Sequence, residues 1–256
     1  MQQDRNFDDL AERFNARIYD TLKGQLRLDI LKQDLEQFTR THSLKVWDAG
    51  CGAGQISLWL AGFGHQMTLC DISAKLLNQA QQDFAEAKLQ ADFHHTSIQQ
   101  FPPQLTQFDL VICHAVVEWL ATPLETLKQV LDRVKTRGYL SLMFYNRNAM
   151  VYKNVIRGGW RLEPILNDRY IGVGNKLSPP FPQYPNEIIQ FLQNNDFEII
   201  QHSGIRVFSD YLNSESRNQT NEQELLALEH QYCRQPTYRD MGRYVHLLAE
   251  KKSPNG

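Results

Sequence analysis

The chain has 256 residues, with 27 Lys and Arg against 29 Asp and Glu and a formal net charge of -2. That length suits one large domain or two small ones, and 42% hydrophobic with 11% aromatic content excludes a disordered chain. The near-neutral balance excludes a protein that coats nucleic acid through bulk positive charge.

The opening, MQQDRNFDDLAERF, carries neither the basic nor the apolar region of a signal peptide, so a cytoplasmic protein is expected. Phe7–Phe38 then reads as two helices, with apolar residues at Phe7, Leu10, Ala11, Phe14, Ile18, Leu26, Ile30 and Leu31 and a break at Gly24. Strand-like runs follow at Leu44–Ala49, Gln66–Asp71, Asp92–Thr96, Phe108–His114, Tyr139–Tyr145, Phe197–Phe208 and Arg243–Ala249. Helical patterns at Gln55–Ala61, Ser73–Leu89 and Pro123–Val134 separate the earlier ones. This alternation predicts an α/β fold with a mostly parallel sheet, and the continuously apolar VICHAV and YLSLMFY predict strands covered on both faces. One domain over 1–256 is expected, with the helices of 5–40 capping a ligand site and a substrate-side insertion at about 146–196, since a connector of about 50 residues is too long to be a simple loop. No run reaches the ~18 apolar residues of a membrane span. Cys51, Cys70, Cys113 and Cys233 form no C-x-x-C pair and no zinc spacing, so buried reduced thiols and no metal are expected.

The strongest local signal is VWDAGCGAGQ, Val46–Gln55, an apolar strand that turns through glycines into a helix. Asp71, at the end of the next strand, can accept hydrogen bonds from both hydroxyls of an adenosine ribose. The spacing is G-x-G-x-G, with Asp48 two residues before Gly50. That acid would repel a pyrophosphate but suits the ammonium and sulfonium of S-adenosylmethionine. The pattern therefore favours this cofactor over a nicotinamide dinucleotide, while a ligand-free relic of a nucleotide loop stays open. Gly50, Cys51 and Gly52 would approach it through the backbone. Ligands of open α/β sheets bind at the carboxyl ends of the strands. Ser97 and Ile98 are therefore expected near the adenine, His114 under the methionine end, and Arg27 of KGQLR on the methionine carboxylate. FDLVICHAVVEWL followed by a helix and RGYLSLMFY resembles the fourth and fifth strands of class I methyltransferases.

RNFDDLAERF, KGQLR, DAGCGAGQ, CDIS, CHAVVEWL, LSLMFYN, GIRVFSDYL, YCRQPTY and GRYVH, in this order from about Arg5 to Ala249, resemble the bacterial tRNA 5-carboxymethoxyuridine methyltransferase family. The glycine loop is shared by all class I enzymes; the N-terminal block and GIRVFSDYL, YCRQ and GRYVH are the specific part. The resemblance implies the class I, Rossmann-like fold: a seven-stranded sheet with helices on both faces and an antiparallel last strand. It implies methyl transfer from S-adenosylmethionine to the carboxylate of 5-carboxymethoxyuridine at the tRNA wobble position, giving the methyl ester. The family's cofactor contacts fall on Arg27, Gly50, Cys51, Asp71, Ile98 and His114. Cys51 stands where relatives are expected to carry glycine, which a backbone contact survives if position 51 needs no positive φ.

A substrate carboxylate is already ionised at neutral pH, so no general base is required, and no nucleophile arrangement is visible. A cation should meet it in a partly dry pocket. Arg206 is the first candidate, then Arg243 and Arg27, with Tyr145, Tyr19 and Tyr244 to orient the group or stack on the base. Residues 146–186 carry a net +4, leaving -6 elsewhere. Arg147, Lys153, Arg157 and Arg161, interleaved with Tyr152 and Trp160, are the expected anticodon-loop contacts, with Arg169, Tyr170 and Lys176 beyond them. A small-molecule O- or carboxyl-methyltransferase would share every cofactor residue without needing that segment, and a non-catalytic adenosylmethionine-binding module would share them without turnover.

Overall fold

The computed structural model describes residues 3–9, 21–105, 107–167 and 179–253. They build a seven-stranded sheet in the order β3-β2-β1-β4-β5-β7-β6. Its strands are β1 (Lys45–Ala49), β2 (Gln66–Asp71), β3 (Ala91–His95), β4 (Phe108–His114), β5 (Val134–Tyr145), β6 (Phe197–Ile205) and β7 (Tyr244–Lys251). The first five run parallel, and β7 lies antiparallel between β5 and β6. The helices that frame the sheet are α1 (Leu22–Asp34), α2 (Gln55–Ala61), α3 (Ala74–Glu86), α4 (Pro123–Asp132), α5 (Arg147–Val155), α6 (Leu162–Leu166), α7 (Pro185–Gln193), α8 (Ser214–Gln219) and α9 (Glu222–Tyr232).

Strand periodicity divides the core in two. On β4, Val111 and Cys113 face one layer with Leu127, Val130 and Leu131 of α4 and Ile188 and Leu192 of α7. Leu110 and Ile112 face the other, with Leu26, Ile30 and Leu31 of α1, Ile56 and Leu60 of α2, and Ala80 and Phe84 of α3. Alternate residues of a strand point to opposite faces, so a strand sandwiched by helices must be apolar throughout. Helix starts follow local chemistry. Ser73 caps α3 by accepting from the Leu76 N–H, and Pro123 opens α4, where its missing N–H costs nothing.

Several expectations shift. Gly24 marks no break: it lies in the first turn of α1, whose cap is Thr21, and most of the helix expected before it, 10–20, lies outside the described residues. β5 begins at Val134 rather than Tyr139, with a register shift against β4 between Phe108 and Leu110. β6 stops at Ile205, because Arg206 takes a φ of +63° and turns the chain out of the sheet. At the end of the segment expected as an insertion, α7 buries Ile188 and Leu192 in the central core.

Candidate cofactor and substrate site

The glycine loop leaves β1 at Ala49 and turns back toward β2. The N–H groups of Gly50 and Cys51 donate to the Cys70 carbonyl at 2.9 and 3.0 Å. Gly52 N–H donates to Asp71 Oδ2 and Ser73 N–H to Asp71 Oδ1, both at 2.7 Å. Asp71 thus anchors the loop, and a carboxylate has lone pairs left for two further donors. Gly50 sits at φ +80°, and a Cβ there would come within 2.6 Å of Val116 Cγ2. The loop is therefore packed so closely that only glycine fits. Cys51 is not among the residues at positive φ, so a side chain at position 51 costs no backbone strain.

Above this loop, at the carboxyl ends of β1, β2, β3 and β4, lies a cleft. Arg27, Gly50, Cys51, Gly52, Asp71, Ser97, Ile98 and His114, the residues expected at a cofactor, all line it. Asp48 does not. It is buried, with Oδ2 accepting from Ser57 Oγ at 2.6 Å, and burial pushes its carboxyl up to about 7. It ties β1 to α2 beneath the loop instead of meeting a ligand. Burial also holds His114 well below the ordinary imidazole range, with Arg27 adding to the effect, and raises Asp71. The Cys51 thiol is pushed far up by burial and the nearby acids, which makes it a poor nucleophile.

The sequence places helices over this cleft from residue 5 onward; residues 3–9 instead cross it as a strap without helix. Asp4 accepts from Ala121 N–H at 2.7 Å, Arg5 N–H donates to the Trp119 carbonyl at 3.2 Å, and Asn6 donates to the Ile72 carbonyl at 2.9 Å. Phe7 meets Trp119 edge-on at 4.9 Å between ring centroids, and Asp8 accepts from Ser73 Oγ at 2.6 Å. Polar residues at such spacing carry no local signal, because their partners lie more than sixty residues away.

Beside the cleft lies a second cluster. Asp210 is 4% exposed, and among the described residues four cations approach it. They are Lys23 at 3.1 Å, Arg206 at 3.3 Å, Lys153 at 3.7 Å and Arg243 at 3.9 Å. Burial alone would raise Asp210, but these cations hold it well below the usual carboxylate range. Lys153, desolvated and crowded by Arg243, Arg157 and Lys23, falls to about 8. The Arg243 guanidinium lies 4.4 Å from the ring centroid of Tyr145, and Tyr145 meets Tyr244 edge-on at 5.3 Å. Arg206 and Arg27 lie 5.4 and 5.7 Å from the Tyr244 centroid. Arg27 also lines the cleft, so the two clusters join there. Buried Glu229 fixes the turn after β6 by accepting from the N–H groups of Val207, Phe208 and Ser209 at 2.6, 3.1 and 2.7 Å. Burial pushes Tyr145 and Tyr244 up, so both keep their phenolic protons.

Glu118 is fully buried, and neither carboxylate oxygen has a hydrogen-bond partner. Burial outweighs the nearby backbone N–H groups of Glu118 and Tyr145 and pushes it up to about 8. Tyr19, Arg169, Tyr170 and Lys176 lie outside the described residues. Two of the expected tRNA contacts are relocated. Arg147 is 5% exposed, at the start of α5, and Lys153 turns inward to Asp210. Arg157 is exposed, and Arg161 lies 4.7 Å from the Trp160 ring, which is itself 60% exposed.

A sheet with β7 antiparallel between β5 and β6, and a glycine loop bound to an acid at the end of β2, define a class I S-adenosylmethionine-dependent methyltransferase. A family model described as a methyltransferase domain matches residues 47–142. The magnesium protoporphyrin IX methyltransferase of Synechocystis PCC 6803, solved with S-adenosylhomocysteine, shares the fold with a TM-score of 0.64 at 18% identity over 96% of each chain. The tRNA 5-carboxymethoxyuridine methyltransferase of Escherichia coli K12 is 40% identical over 97% of both chains. A ubiquinone biosynthesis O-methyltransferase of Aromatoleum aromaticum is 31% identical, but over only 44% of this chain. The chain belongs to the tRNA 5-carboxymethoxyuridine methyltransferase family.

Proposed function

We propose that this protein transfers the methyl group of S-adenosylmethionine to the carboxylate of 5-carboxymethoxyuridine in the wobble position of a tRNA. The carrying observation is the excess of cations around Asp210, directly beside the cofactor cleft. One buried carboxylate facing Lys23, Arg206, Lys153 and Arg243 leaves positive charge that a second carboxylate can satisfy.

S-adenosylmethionine supplies an electrophilic methyl on a sulfonium. The chain's residues do the rest by binding and orientation. Asp71 takes the ribose hydroxyls, and the backbone of Gly50, Cys51 and Gly52 closes on the cofactor. Ser97 and Ile98 flank the adenine, while Arg27 and His114 take the amino-acid end. Arg206 and Arg243 hold the substrate carboxylate, which needs no base because it is already ionised. Tyr145 and Tyr244, kept protonated, donate to it or pack on the uracil. Arg157, Arg161 and Trp160 meet the anticodon loop. A uridine lacking the carboxymethoxy group would leave the surplus positive charge around Asp210 uncompensated, which is how the site rejects it.

The test uses labelled S-adenosylmethionine and tRNA from cells lacking the enzyme. Label is expected in the wobble nucleoside as a methyl ester. Label confined to small metabolites would favour a small-molecule methyltransferase, and bound cofactor without turnover a non-catalytic module. Arg206→Ala should lower tRNA methylation while leaving cofactor affinity in place.

A further inference from the structure

A buried chain of hydrogen bonds runs from the cleft across β4, β5 and β7, on the face of the sheet that α1 covers. His114 Nε2 lies 2.7 Å from Ser141 Oγ, and Ser141 Oγ lies 2.8 Å from His246 Nε2. His246 Nδ1 lies 2.7 Å from Asp34 Oδ2. The other carboxylate oxygen, Asp34 Oδ1, accepts from Ser203 Oγ at 3.0 Å and from Arg234 at 2.7 and 3.1 Å. Ser141, Ser203 and His246 have no exposure, and Asp34 has 6%. Four sequence-distant elements, α1, β4, β5 and β7, converge on this line, and only its His114 end reaches the cleft.

The donors along it can be assigned by counting protons. Asp34 is an ionised acceptor, since the hydrogen bonds from His246, Arg234 and Ser203 outweigh its burial. His246 must therefore carry its proton on Nδ1. Arg234 already balances the charge of Asp34, and a further cation on a ring with no exposure would be uncompensated. A neutral His246 then offers a lone pair at Nε2, and the single Ser141 hydroxyl proton goes there. The Ser141 oxygen has no proton left, so it must accept from His114 Nε2–H. A neutral His114 protonated at Nε2 has an unprotonated Nδ1, and Nδ1 is the nitrogen left to face the cleft.

We propose that Asp34, His246 and Ser141 are positioning residues that lock His114 in its Nε2–H tautomer, so that its Nδ1 lone pair accepts a hydrogen bond from the amino group of the cofactor's methionine tail. The ligand half of this inference rests on the cofactor assignment above; the tautomer half does not. Outer partners of a liganding histidine set which nitrogen is free and how the ring is turned. Here buried side chains on one face of the sheet perform that task, and the other tautomer would aim an N–H at an ammonium.

Nitrogen-15 NMR of the full-length protein labelled at histidine decides the tautomer without any ligand. Wild type should show His114 protonated at Nε2 and His246 at Nδ1. Ser141→Ala should release His114 into a tautomer mixture. It should weaken S-adenosylhomocysteine binding about 10-fold, and the KM for S-adenosylmethionine should rise while kcat moves far less. The affinity gap between S-adenosylhomocysteine and its desamino analogue should narrow in Ser141→Ala. Finding wild-type His114 protonated at Nδ1 overturns the proposal, and so does a Ser141→Ala protein with unchanged tautomer and affinity. If Ser141→Ala fails to fold, the wild-type spectrum and the wild-type preference for the amino-bearing ligand still decide. A correct tautomer with no S-adenosylhomocysteine binding would instead overturn the cofactor assignment and, with it, the ligand half.

Discussion

The Arg243 guanidinium lies 4.4 Å from the ring centroid of Tyr145 while its Nε reaches toward Asp210 at 3.9 Å. One side chain thus joins an aromatic wall to an ion cluster, and its Nη1 is buried without a partner. A donor in that state is ready for an incoming acceptor. Arg243→Lys keeps the charge but loses the planar group that stacks and forks. It should lower kcat/KM for tRNA by about tenfold or more and leave S-adenosylhomocysteine affinity unchanged by calorimetry. Equal tRNA kinetics in the variant would remove Arg243 from the substrate site.

Asp210→Asn tests the cluster itself. Without the carboxylate, Lys23, Arg206, Lys153 and Arg243 face one another with no counter-charge. The folded state should lose about 3 kcal/mol, read as a lower urea midpoint. Added sulfate should restore part of that loss, because an anion can occupy the place of the carboxylate. A loss that sulfate does not touch would mean that packing, not charge, sets the role of Asp210.

Gly50→Ala probes the cofactor loop. The new Cβ would need φ +80° and would press within 2.6 Å of Val116 Cγ2. Strain of this kind costs about 1–3 kcal/mol, and displacement of Val116 would deform a wall of the cleft. Both a lower melting temperature and weaker S-adenosylhomocysteine binding are expected. Binding at wild-type strength would show that the loop adapts without cost.

The cofactor side of this site is legible in sequence because its parts are local. Val46–Gln55 holds strand, turn and helix start in ten consecutive residues, and Asp71 closes the next strand. Asp48 misleads for a reason that local reading does not reach: Ser57, in the first turn of α2, donates to its carboxylate. The substrate side is legible only in part. Arg206, Arg243, Tyr145 and Tyr244 come together as expected, because the ends of β5, β6 and β7 meet at one edge. Asp210 and Lys23 were invisible, since the ion pairs join α1, α5 and the loop after β6 across more than fifty residues. Amphipathic charge patterns also misplace Arg147 and Lys153, which point to buried partners rather than solvent.

Glu118 makes stability depend on pH in a direction that can be stated. Its carboxyl rises from the ordinary 4.5 to about 8 through burial. The folded state therefore keeps a proton that the unfolded chain releases above about 4.5. Stability from this residue is complete below that pH and falls as pH rises through about 8. Asp48, raised to about 7, acts in the same sense. The comparison is thus between wild type and Glu118→Gln. The variant should show a flatter decline of urea midpoint between pH 5 and 8 (a difference on the order of a few kcal/mol). Parallel curves for the two proteins would mean that Glu118 is ionised in the fold.

The net charge of -2 limits how tRNA can be held, and the fold narrows the choice further. With Arg147 buried and Lys153 drawn to Asp210, the outward charge on the segment after β5 falls to Arg157 and Arg161 among the described residues. Arg161 lies over Trp160, and Tyr152, Ile156, Leu162 and Leu166 are exposed around them. That combination offers two phosphate contacts and a stacking platform for an unpaired base. Arg157→Glu with Arg161→Glu should weaken tRNA binding and reduce the slope of log affinity against log salt by about 1.4, or ~0.7 for each single-strand phosphate lost. Trp160→Ala should weaken binding by about 1–3 kcal/mol without changing that slope, since stacking releases no counterions. Neither variant should alter S-adenosylhomocysteine affinity. An unchanged salt slope in the double variant would move the tRNA contact away from this segment and onto the cations around Asp210 alone.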